Sequence, residues 1–135
     1  MFGAYRNFTQ AYRQVGLETG VAAARPIDLI LMLYDGAIDA LTCALTRHQA
    51  ATGGAHSADL TRAIRIIDEG LSASLDPSGG AIGGQLRDLY GYMTRRLLAA
   101  SLSREAAPIE EVRKLLSELR SAWSELAANQ SNGAA

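Results

Sequence analysis

The chain has 135 residues, 48% apolar and 20% charged, with 13 basic against 14 acidic side chains and a net charge of −1. That length holds one domain with a core of its own and leaves no room for a second; near-neutral charge excludes the concentrated Lys and Arg excess that grips nucleic acid. Cys43 is the only cysteine and cannot close an internal disulfide, in keeping with a reducing compartment. The apolar run from Leu29 to Tyr34 is framed by Asp28 and Asp35, far short of the ~20 residues of a membrane span. The amino end carries no apolar block or cleavage site of a signal peptide, so a cytoplasmic protein without membrane insertion is expected.

Residues 1–22 come first, with Tyr5, Phe8, Tyr12 and Val15 at helical spacing. A helix this short is marginal alone, which predicts a short helical or extended cap packed on or near a groove. Residues 23–129 read as an all-α, antiparallel up-down four-helix bundle, with helices at about 26–50, 57–75, 82–103 and 108–128. The first carries a continuous stripe of Ile27, Ile30, Tyr34, Ile38, Leu41 and Leu45, widened by Leu29, Met32, Leu33 and Gly36. Ser57 is a candidate N-cap for the second, which presents Leu60, Ile64, Ile67, Leu71 and Leu75 on one face. The third presents Ile82, Leu86, Leu89, Met93 and Leu97, with Gly83 and Gly84 in its first turn. Pro108 and two glutamates open the fourth, whose apolar face holds Val112, Leu115, Leu119, Ala122 and Leu126 beside Trp123. Residues 130–135 are expected to be a disordered tail.

No catalytic or cofactor constellation stands out. His48 and His56 flank a glycine-rich loop without ligand spacing, and Cys43 reads as a small packed side chain. The run Gly79 to Gly84 lacks the strand and the Gly-Lys-Ser/Thr ending of a phosphate loop. Asp35 and Asp39, one turn apart, read as ends of ion pairs, and one of Arg95 and Arg96 as the partner of Asp35 or Asp88. Gly36 reads as a site of close helix approach. Tyr34, Tyr90 and Tyr92 stand where a core usually takes Phe or Leu, either as buried hydrogen-bonded rings or as groove residues.

Four stretches go further than periodicity. ILMLYDGA at 30–37, AY at 11–12 with VGLETGV at 15–21, LYGYMTRRL at 89–97 and LLSELRSAW at 115–123 together resemble the flagellar secretion chaperone family FliS, over about residues 4–127. Arg25 ahead of Pro26 and the glycine-rich connection between the second and third helices depart from the family's pattern. The resemblance implies a non-enzymatic cytoplasmic export chaperone, without cofactor. It would bind the carboxyl-terminal segment of flagellin, prevent premature polymerisation and assist delivery to the export gate of the flagellar type III apparatus. On that reading Tyr5, Phe8, Tyr12, Val15, Leu29, Met32, Leu33, Tyr90, Met93 and Leu97 are candidate flagellin contacts, against core roles for most of them. The alternative is a helical adaptor or regulatory dimerisation module that binds another amphipathic helix, and self-association stays open.

Overall fold

The computed structural model describes residues 26–49, 55–76 and 80–133; the expectations placed on Tyr5, Phe8, Tyr12 and Val15 lie outside them. Among the described residues there are helices and no strand. Helix α1, Pro26–Gln49, opens on a proline, which lacks an N–H at the one place a helix does not need it. Asp28 in its first turn and Arg47 and His48 in its last complement the helix dipole. By length and composition α1 could cross a bilayer, with a mean hydropathy of 1.5 over its most apolar window. That apolarity is used internally: Leu33, Tyr34, Ala37, Leu41 and Ala44 all belong to the buried core.

Helix α2, Ala55–Arg65, begins before Ser57 and runs directly into a π-helical turn, Ile66–Leu71, and a 3-10 turn, Ser72–Ser74. The wide π turn coincides with a close approach of α1. A Cβ added to Gly70 would stand 2.8 Å from Leu33 Cδ2, so only glycine fits without moving a buried leucine. Gly36, expected to mark such a contact, is looser, its added Cβ 3.4 Å from Ile66 Cδ1.

Helix α3, Gly80–Ser103, starts from a glycine at φ +67° and ends where Arg104 adopts φ +60°, its N–H donating to the Ala100 carbonyl at 2.8 Å. A left-handed residue there is the usual helix stop, normally filled by glycine. Helix α4, Ala107–Gly133, passes the expected end near residue 128 and takes in residues 130–133, previously expected to be tail. Nothing between Gln130 and Asn132 breaks a helix.

Helix α1 packs between α2 and α4, and α3 packs between the same two on the other side. This is the ring order of an up-down-up-down bundle. Leu60, Ile67, Met93, Leu97, Val112 and Leu116 fill its centre from α2, the π turn, α3 and α4.

Candidate functional site

The apolar stripe of α3 changes character along its length. Met93 and Leu97 are fully buried, Leu86 and Leu89 are half-buried, and Ile82 is 71% exposed although it occupies the same stripe. The core therefore runs out into solvent toward the start of α3. There Leu86 faces Leu119, Ala122, Trp123 and Leu126 of α4 across a groove of about 220 Å³ lined almost wholly by carbon. The groove lies between α3 and α4, beside the stretch where α3 carries glycines at 80, 83 and 84.

Its floor is fixed by hydrogen bonds. At the floor Trp123 Nε1 donates to the Tyr34 hydroxyl at 3.1 Å, and that hydroxyl lies 2.6 Å from the hydroxyl of Tyr90. Helices α4, α1 and α3 are thus joined through one chain of polar atoms, with Tyr34 at 0% and Tyr90 at 2% exposure. Burial pushes both phenols above their ordinary pKa, because the low-dielectric interior disfavours a phenolate. Farther along the α3–α4 seam Arg96 Nε donates to Glu111 Oε1 at 2.7 Å and Tyr92 donates to Glu111 Oε2 at 2.9 Å, stapling α3 to α4. The Arg96 guanidinium holds Glu111 below the usual carboxylate range, and the carboxylate in turn raises the Tyr92 phenol.

The bundle residues expected to line a groove divide differently. Tyr90, Met93 and Leu97 lie in the closed core, because α3 is flanked there by both neighbours; Leu29 and Leu33 are buried as well. Of these six bundle positions Met32 alone is exposed, at 44%. A second concave surface, of about 370 Å³, is lined by residues of α2 and the π turn, among them Ala58, Arg62, Arg65, Ile66, Glu69 and Gly70. Leu86, Leu119, Ala122 and Leu126 were not singled out by sequence reasoning as groove residues. The signal available was the exposed continuation of two core stripes past the glycines.

Other expectations are corrected. Cys43 is exposed, on the outer edge of α1, where the core stripe does not reach. Arg96 takes Glu111 as partner in place of Asp35 or Asp88, and Asp35 accepts from Arg120 of α4, including an Nη2 contact at 3.3 Å. Trp123 is half-buried, packs against the core and also lines the groove. Among the described residues no group of three or more His, Cys, Asp or Glu could hold a metal. What the site offers is open apolar surface.

Comparison with known proteins agrees in length and order. The family profile described as "Flagellar protein FliS" matches residues 8–130. The flagellar secretion chaperone FliS of Salmonella typhimurium (strain LT2) is 45% identical over 123 residues, covering 90% of this chain and 91% of that one. That of Escherichia coli (strain K12) is 40% identical, covering 87% of each chain, and FliSB of Pseudomonas aeruginosa (strain PAO1) is 37% identical over 83% of this chain and 89% of its own. A match of this extent, carried by a helical bundle with an open apolar groove, means that the chain belongs to the FliS family of flagellar secretion chaperones.

Proposed function

We propose that this protein is a cytoplasmic, non-enzymatic export chaperone that binds the carboxyl-terminal segment of flagellin, prevents its premature polymerisation and assists its delivery to the export gate of the flagellar type III apparatus. The observation that carries the reading is the α3–α4 groove, where an apolar core is left uncovered along Ile82, Leu86, Leu119, Trp123 and Leu126. An amphipathic terminal segment that is unpaired before assembly exposes apolar residues; laid in such a groove as a helix, it completes the core and cannot meet its own copies. Contacts from Tyr5, Phe8, Tyr12 and Val15 and from Met32 belong to the same proposal, with residues 1–22 lying on or near a groove in the free chaperone. Tyr90, Met93 and Leu97 serve it from below, by fixing the floor.

The test is a binding titration of the full chain with the carboxyl-terminal ~40–50 residues of the same cell's flagellin, a span of several helical turns. Leu126→Glu places a carboxylate in the groove and should weaken binding by about 3 kcal/mol, roughly a hundredfold. Undiminished binding by a folded Leu126→Glu variant would remove the groove from the account.

A further inference from the structure

The rim of the α3–α4 groove has a charge pattern of its own. Glu118 and Glu125 of α4 are seven residues apart and flank the lining residues Leu119, Ala122 and Leu126, so they stand along one edge about 10 Å apart. The antiparallel register that brings Arg96 to Glu111 sets Asp88 of α3 level with Glu118 and Leu119. All three carboxylates are exposed, and among the described residues none is held in an ion pair, whereas Glu111 farther along the same seam is bound by Arg96. Like charges gathered beside one apolar cleft repel. A ligand that brings cations relieves that repulsion.

We infer that the α3–α4 groove selects a helix whose apolar stripe is flanked by lysine or arginine, with the basic side chains seated against Asp88, Glu118 and Glu125. This rests on the reading of the groove as the flagellin site and adds its chemical selectivity. The apolar lining supplies the contact area and the exposed rim supplies orientation and speed of encounter, since charges at a rim act chiefly on association. The helix enters with one edge apolar and both flanks basic.

The experiment measures association and dissociation of the full-length chaperone with the carboxyl-terminal ~40–50 residues of the same cell's flagellin. It is run at about 0.01 M and about 0.15 M ionic strength, where the Debye length is roughly 30 and 8 Å. Wild type should associate several-fold faster at the lower ionic strength. Glu118→Gln with Glu125→Gln should slow association about three- to tenfold there, flatten the salt dependence, and change dissociation by less than about twofold. An unaltered salt dependence in the folded double variant overturns the inference and leaves flagellin binding standing. Absence of binding by wild type at both ionic strengths overturns the flagellin reading and the inference with it. Residues 1–22 carry Arg6 and Arg13, also seven apart. If the effect of the two glutamine substitutions vanishes in a chain that also bears Arg6→Gln and Arg13→Gln, the rim serves the chain's own amino end and the assignment to flagellin falls.

Discussion

Removing one oxygen atom from the centre of the bundle tests its polar chain. In Tyr34→Phe the volume and apolar contacts of the ring survive, but the hydroxyl that receives the Trp123 N–H at 3.1 Å and meets the Tyr90 hydroxyl at 2.6 Å is gone. Two hydrogen bonds are lost, and two donors, one fully buried, keep no partner among the described residues. At about 1 kcal/mol for each bond and a further desolvation cost for the stranded groups, Tyr34→Phe should destabilise by roughly 2–4 kcal/mol. Tyr90→Phe removes only the second bond and leaves Trp123 satisfied, so about 1 kcal/mol is expected. The double variant strands Trp123 alone and should cost less than the sum of the two, with a coupling of about 1 kcal/mol. Urea unfolding followed at Trp123 emission and by circular dichroism measures all three. A Tyr34→Phe change below about 0.5 kcal/mol, or simple additivity, would refute the hydrogen-bonded floor.

The same chain sets an alkaline limit. Both phenols titrate above their ordinary value in the folded state, so the protein binds more protons folded than unfolded once pH passes about 10, and stability that is complete below that pH should fall as it rises; Tyr34→Phe with Tyr90→Phe should flatten that fall in a pH series of unfolding curves. At the acid end Glu111 has a depressed pKa, so its contribution is complete above the ordinary glutamate range near 4.3 and is lost as pH falls through its lower folded value. Arg96→Ala should return the Glu111 carboxyl toward that range in an NMR titration; an unmoved resonance contradicts the staple. Gly70→Leu should destabilise far more than Gly36→Ala, because only the former forces a side chain into Leu33, and equal melting curves would refute the close approach. Arg104→Gly should stabilise by about 0.5–1 kcal/mol by relieving the left-handed backbone of a non-glycine residue.

The fold was legible because each helix advertises itself by spacing: the stripes Ile27 to Leu45, Leu60 to Leu71 and Ile82 to Leu97 are long enough to exclude a strand period. Proline and glycine marked the connections. The π turn at Ile66–Leu71 was not legible, since periodicity averages over one inserted residue and Gly70 announces its role only once Leu33 is seen against it. The groove was half legible. Periodicity says which side of a helix is apolar but not where along that side the neighbours stop, so Met93 and Ile82 look alike in sequence and differ entirely in exposure. Ion-pair partners such as Arg120 for Asp35, 85 residues apart, depend on register between helices that no local pattern records.

The most direct test of the central claim is calorimetric titration of the purified chain with the carboxyl-terminal ~40–50 residues of its own cell's flagellin at several temperatures. The account predicts near-equimolar binding with a large negative heat-capacity change, the mark of apolar surface buried as the segment folds into the groove. A folded bundle that binds neither that segment nor intact monomeric flagellin would contradict it.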